Sequence, residues 1–241
     1  MARGTELVGS TTRASYAQAY FLQIKDVILF LGNSITEGAK PEIDFLVEDF
    51  KKQYPELADG DGKVKLITAG RSGEQAVDGT GRLKGLLDQH RPTVCVVCYG
   101  TCEVTFKNER SFTPAMKDIV HQLKAASVAI TIVSAPPPSV KNWHQSPWSA
   151  EQFVNGLPQM AAQAKQIAAE EGVSFVDAFV ALKMFADKNN KELTADGIHL
   201  NKDGYRVMAD ALQQTWGFGK PLAKPNSPRP LPVAPENFIW L

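Results

Sequence analysis

Short, nearly continuous apolar runs alternate along the chain with longer stretches in which apolar residues recur every three or four positions. The runs at 27–31, 64–68, 94–99 and 129–134, with a weaker one at 173–177, have the make-up of strands buried on both faces. Between them Ile43, Leu46, Val47, Phe50 and Tyr54 share one helical face, and so do Phe112, Met116, Ile119, Val120 and Leu123 behind the start signal Thr113-Pro114. Ser149 and Gln152 have the spacing of a capping box, which opens a helix that Pro158 interrupts and Gly172 ends. A last helix from Asp203 places Tyr205, Met208, Ala209, Leu212 and Trp216 on one side. This alternation predicts an α/β fold, a parallel sheet with helices on both faces. Gly79, Gly81 and Gly85 read as flexibility at the rim of a site. They do not directly follow a strand and carry no Gly-Lys-Ser/Thr, which argues against a phosphate loop.

The pattern fills 26–216, the expected globular domain, and leaves 1–25 as an N-terminal segment. The last 25 residues hold six prolines and no periodicity, so 217–241 is expected to be a Pro-rich strap. Its apolar end, Phe238-Ile239-Trp240-Leu241, is expected to dock on the domain or on a second subunit. With 241 residues, 44% of them apolar, a single domain can bury a large core. Lys+Arg 26 against Asp+Glu 26 leaves no net charge, which argues against a nucleic-acid partner. No apolar run approaches the roughly 18 residues of a membrane span. The first 20 residues lack an apolar stretch of signal-peptide length. The expectation is therefore a soluble protein, either cytoplasmic or exported with a leader that precedes this sequence. Three cysteines are too few for a disulfide framework in a chain of this length.

Ligands of an open parallel sheet bind outside the carboxyl ends of its strands, so the loops that follow the strands carry the candidate chemistry. They read Gly32-Asn33-Ser34-Ile35-Thr36-Glu37-Gly38, Ala69-Gly70-Arg71-Ser72-Gly73 and Gly100-Thr101-Cys102-Glu103, and Asp196-Gly197-Ile198-His199-Leu200-Asn201 precedes the last helix. A serine hydroxyl becomes a nucleophile when a base takes its proton and an acid holds that base. Ser34, His199 and Asp196 supply such a set, which needs neither a metal nor a cofactor. Each alone has a plainer reading as a turn residue, a cap or a structural hydrogen bonder. Asn33, Arg71 and Glu103 stand beside them as candidate contacts to a polar substrate, with Glu74 nearby; solvated loop residues are the plain alternative. Pro136-Pro137-Pro138 stiffens a further rim loop, and Trp143, His144 and Trp148 after it either stack on a substrate or pack the loop down. Cys95 and Cys98, three apart in a strand, point to opposite faces, which argues against a metal or redox pair. Cys102 lies at a strand end, where His199 could lower its pKa and make it oxidisable or even a nucleophile.

The four loops in this order resemble the SGNH hydrolase family, also known as GDSL esterases and lipases, over about 26–216. Phe30-Leu31-Gly32-Asn33-Ser34-Ile35-Thr36-Glu37 is similar to its nucleophile block and Gly70-Arg71-Ser72-Gly73 to its glycine block. Tyr99-Gly100-Thr101-Cys102-Glu103 is similar to its asparagine block, and Asp196-Gly197-Ile198-His199-Leu200-Asn201 to its histidine block. The resemblance implies a three-layer α/β/α, flavodoxin-like fold with a mostly parallel sheet of about five strands. It also implies a Ser34 nucleophile, a His199 base and an Asp196 orienter, with oxyanion donors at the Ser34 and Gly73 N–H groups and at the position of Cys102. Asn33 replaces the usual acid of the nucleophile block, and Cys102 stands where the third block usually has asparagine. A thiol is a weak donor and an amide a good one, so one oxyanion contact is expected to be missing unless Thr101 or a neighbour fills the place. The expected function is cleavage of a carboxylic ester with a short acyl group, such as acetyl on a carbohydrate, through an acyl-enzyme. The alternative is a relative that binds a ligand and has lost useful catalysis.

Overall fold

The computed structural model describes residues 19–144, 148–222, 224–225 and 227–229. Five strands, β1 (Val27–Gly32), β2 (Lys65–Gly70), β3 (Val94–Cys98), β4 (Ala129–Val133) and β5 (Ser174–Val176), form one sheet in the order β2-β1-β3-β4-β5. Every pairing is parallel. The flanking strands expected from the apolar runs are thus present, and the order is that of flavodoxin-like folds. β3, at the centre, is buried along its whole length, while β2 at the edge is partly exposed, as an edge strand covered on one side must be.

Helices α1 (Ser34–Glu37), α2 (Lys40–Gln53) and α3 (Pro55–Ala58) connect β1 to β2, and α4 (Ala76–His90) carries the chain from β2 over β1 to β3. α5 (Thr101–Thr105) and α6 (Phe112–Ala125) lead to β4, α7 (Ala150–Glu171) to β5, and α8 (Ala178–Asn189) and α9 (Lys202–Thr215) follow. α4 packs on α6 and α6 on α7 in one layer; α9 packs on α2 and α8 in the other. Each turns an apolar stripe inward: Leu46 and Phe50 on α2, Met116, Ile119, Val120 and Leu123 on α6, Tyr205, Met208 and Leu212 on α9. Among the described residues no helix is long and apolar enough to cross a membrane.

Three expectations about helices are corrected. Gly79, Gly81 and Gly85, read as flexibility at the rim of a site, lie in the helix 76–90, whose start is closed by the Asp78 carboxylate accepting from the Gln75 N–H at 3.0 Å. Its Gly79 is required by packing, because a Cβ there would lie 2.4 Å from the Tyr99 hydroxyl, while Gly81 and Gly85 face open space. Pro158 does not interrupt α7. The helix runs through it because Phe153, Leu157, Met160, Ala164, Ile167 and Ala168 bury a long apolar face, which outweighs the lost backbone bond of about 3 kcal/mol. Ser149 caps α7 by accepting from the Gln152 N–H, but the Gln152 side chain reaches back to the Val104 and Thr105 carbonyls on α5 instead of closing the box. Gly172 ends the helix in the left-handed conformation, φ 63°.

At the amino ends of the strands the first and last described segments meet. Tyr20 and Leu22 are fully buried; Tyr20 stacks on Tyr54 and Phe21 on Trp216. The Tyr20 N–H donates to the Pro221 carbonyl at 2.7 Å, and Arg229 pairs with the buried Asp26. The strap thus lies against the domain as far as Arg229; Phe238-Ile239-Trp240-Leu241 falls outside the described residues.

Candidate active site

β1 hands the chain to β2 on one side, and the next strand, β3, is added on the other. The carboxyl ends of β1 and β3 therefore flank the switch point where a crevice must open. The nucleophile block follows β1 and the third block follows β3. Close backbone approach shapes both. A Cβ on Gly32 would lie 2.1 Å from Thr36 Oγ1 and one on Gly70 2.1 Å from the Glu37 N, so only glycine lets α1 fold back onto the strand ends. The Asn33 side chain accepts from the Ile35 N–H at 3.1 Å and caps α1, and the Tyr205 hydroxyl donates to the Ile35 carbonyl at 2.8 Å. These contacts leave Ser34 partly exposed on a braced turn.

The histidine block is a tight loop closed by the Thr194–Leu200 bridge and by the Ala195 N–H donating to the His199 carbonyl at 2.8 Å. Asp196 Oδ1 accepts from the N–H groups of Ile198 and His199 at 3.0 and 2.8 Å, and its Oδ2 lies 2.7 Å from His199 Nδ1. Burial opposes ionisation of Asp196, but those hydrogen bonds outweigh it and hold the carboxyl below the usual aspartate range. The other imidazole nitrogen, Nε2, is 2.9 Å from Ser34 Oγ. Asn201 caps α9 by accepting from the Gly204 N–H and donates to the Glu192 carbonyl, each at 2.9 Å. A second loop clamps the block from outside, with the Ser139 N–H donating to the Gly197 carbonyl at 2.8 Å and the His144 N–H to the Asp196 carbonyl at 3.0 Å. Residues 165 positions apart are thereby brought into one hydrogen-bonded line, Asp196–His199–Ser34.

The remaining candidates divide. Gly73 takes a positive φ of 77° on an exposed turn, and its N–H is near enough to the Cys102 thiol to favour the thiolate. Burial, with the nearby Glu103 carboxylate, pushes the Cys102 thiol up to about 12 despite that N–H, so at neutral pH it stays a thiol. The reading of Cys102 as an activated nucleophile is thereby corrected: burial dominates, and His199 is not among the groups that shift it. Burial likewise pushes Cys98 up to about 12. Thr101, the alternative donor, has its hydroxyl buried with no partner among the described residues.

Asn33 and Glu103 are buried. Asn33 is 1% exposed with its oxygen committed to the cap. Glu103 is fully buried, and its two oxygens accept from the Ala76 N–H at 2.6 Å and the Gly100 N–H at 2.9 Å. It is an internal bracket that ties α4 to the loop before Cys102, because a carboxylate left inside must find donors. Glu74 is also buried, paired with Arg82 and with the Tyr99 hydroxyl. Arg71 is exposed on the turn after β2, its backbone N–H donating to the Gly32 carbonyl at 3.0 Å. Trp143 packs on Phe153 with ring centroids 5.2 Å apart and donates from its indole to the Trp148 carbonyl, which fits the packing role. The braces from Tyr205, Ser139 and Glu103 escape sequence reasoning, since each bonds to the backbone of a distant loop.

A family model for the GDSL-like lipase/acylhydrolase family matches residues 30–207. A search of curated protein sequences finds no match. Among solved structures, the chain is similar to catalytic mutants of Axe2, an acetylxylan esterase from Geobacillus stearothermophilus, in which a serine, an aspartate or a histidine is replaced by alanine. The His mutant superposes with a TM-score of 0.67 at 19% identity, covering 85% of this chain and 100% of that one. A gut microbial diltiazem-metabolizing enzyme superposes with a TM-score of 0.63 at 20% identity, covering 84% of this chain and 49% of that one. At such identities the superpositions establish a common fold, and the family match extends from β1 into the last helix, across all four loops. The chain belongs to the GDSL-like lipase/acylhydrolase family.

Proposed function

We propose that this ester hydrolase works through Ser34, His199 and Asp196. Ser34 Oγ attacks the ester carbonyl carbon while its proton passes to His199 Nε2. The tetrahedral intermediate collapses as His199 returns that proton to the departing alcohol, leaving the acyl group on Ser34. Water, deprotonated by His199, then releases the carboxylic acid. Asp196 holds the imidazole tautomer and stabilises the imidazolium. The N–H groups of Ser34 and Gly73 face the developing oxyanion, and Cys102 occupies the place of a third, stronger donor. The observation that carries this reading is the unbroken line with 2.7 and 2.9 Å links. The acetylxylan esterase whose Ser, Asp and His mutants share the fold supports a short acyl group on a carbohydrate as substrate, with exposed Arg71 as a contact to its polar part.

The test is a burst of nitrophenolate from p-nitrophenyl acetate and acetate release from acetylated xylooligosaccharides, both abolished in Ser34→Ala. Phosphonate labelling should fall on Ser34. No turnover and no labelling would support the second reading, a ligand-binding relative in which the weak donor at Cys102 has removed useful catalysis.

A further inference from the structure

A cleft of about 900 Å³ among the described residues is lined by neither Ser34 nor His199. It opens beyond the carboxyl ends of β4 and β5, between the amino-terminal half of α7 and the helix α8. Its volume suits a small organic ligand. Its apolar lining comes from buried Leu182 and Leu200 and half-buried Phe179, continued outward by the exposed Val140, Val154 and Pro158. One wall is the segment 190–194 with Leu200, which flanks the loop that carries Asp196 and His199.

The charges at the mouth are unequally committed. Asp187 is paired with Lys183 at 2.8 Å, and Lys191 with Asp203 at 2.8 Å. The Glu192 carboxylate accepts from the Ser139 and Thr194 hydroxyls and from the N–H groups of Leu193 and Thr194, which keeps it turned into its own loop. Lys141 is exposed at the lip, with no ion pair or hydrogen bond among the described residues. An apolar hollow with one uncommitted cation at its edge is complementary to a molecule with an apolar body and a single anionic head. We propose that this cleft binds an amphipathic carboxylate, at a site separate from the Ser34 crevice. This inference is independent of the triad, since it needs no turnover.

Octanoate is the probe, titrated into the full-length ¹⁵N-labelled protein while amide shifts are followed, with octanol and acetate as controls. Octanoate should bind saturably and move the amides of Val140, Val154, Leu193 and Leu200, with octanol weaker and acetate showing no saturation. Lys141→Glu, a change on an exposed loop, should weaken octanoate about tenfold and leave octanol unaltered. Val154→Trp, on the exposed side of α7, should block both. The proposal is overturned if octanoate moves only amides of the Ser34 and Gly73 turns, if it fails to bind, if octanol binds equally well, or if Lys141→Glu changes nothing.

Discussion

Glu42 on α2 offers the sharpest test of how the nucleophile turn is supported. It is 5% exposed and lines a cavity of about 10 Å³ with Ile35 and Thr36 of that turn, Cys98 of β3 and Met208 of α9. Among the described residues no ion pair or hydrogen bond reaches its side chain, and burial alone pushes the carboxyl from 4.5 up to about 8. The folded protein therefore holds a proton on Glu42 through a pH range in which the unfolded chain has released it. Stability from this group is complete below pH 4.5, declines between pH 4.5 and about 8, and is level above that. A rise of about 3.5 units at 1.36 kcal/mol each sets the full loss at about 5 kcal/mol, comparable to the net stability of a whole domain. Glu42→Gln keeps the shape and cannot ionise. Urea unfolding of both proteins from pH 4 to 9 should give similar stabilities at pH 4 and a gap that widens in favour of the variant until about pH 8. The other titratable groups facing Glu42, Cys98 and Tyr205, are both pushed upward by burial and stay protonated in this window, so the difference isolates Glu42. A gap that does not change with pH would refute the reasoning.

Four further changes probe the site itself. Asp196→Ala should lower kcat on p-nitrophenyl acetate about 10³- to 10⁴-fold with little change in KM, because the imidazole loses its tautomer and its counter-charge; a loss confined to KM would count against the role given to it. Cys102→Asn should raise kcat, with about 100-fold as the scale of one good oxyanion donor, and unchanged or lower turnover in a folded variant would sink the missing-donor account. Glu103→Gln sets an amide NH₂ against a backbone N–H, so thermal unfolding should show a cost of about 1–3 kcal/mol; an unaltered melting temperature would mean that the bracket is dispensable. Arg71→Ala should raise KM for an acetylated oligosaccharide and leave that for p-nitrophenyl acetate unaltered; equal effects on both would remove Arg71 as a contact to the sugar part.

The sheet was legible because its strands are buried on both sides, and burial on both sides writes itself as an unbroken apolar run, as in Val94–Cys98. α4 was not. Its three glycines conceal a helix whose one packing-critical glycine answers to Tyr99, a residue on another element, and no local pattern reports that contact. At the site, the positions of Ser34, Asp196 and His199 could be proposed from residue type and order, because the strand ends of an α/β sheet converge on its switch point. Asn33 and Glu103 look like any polar loop residue in sequence. Their burial is decided by which backbone donors the fold aims at them, the Ile35, Ala76 and Gly100 N–H groups, and that depends on the meeting of separate loops.

The same meeting of loops bears on how much the thiol at position 102 handicaps the proposed reaction. Glu103 fixes the start of α5 against the start of α4, and thereby sets Cys102 beside the Gly73 turn. A neutral sulfur is a weak acceptor and holds the neighbouring Gly73 N–H only loosely. An oxyanion is a far stronger acceptor, with charge-assisted bonds roughly twice as strong as neutral ones, and would draw that N–H from the sulfur at little cost. The substitution thus removes one side-chain donor while leaving the neighbouring backbone donor available. A thiolate would have held the N–H and repelled the developing charge, but burial keeps the proton on Cys102. That balance favours a slowed hydrolase over a binding relative.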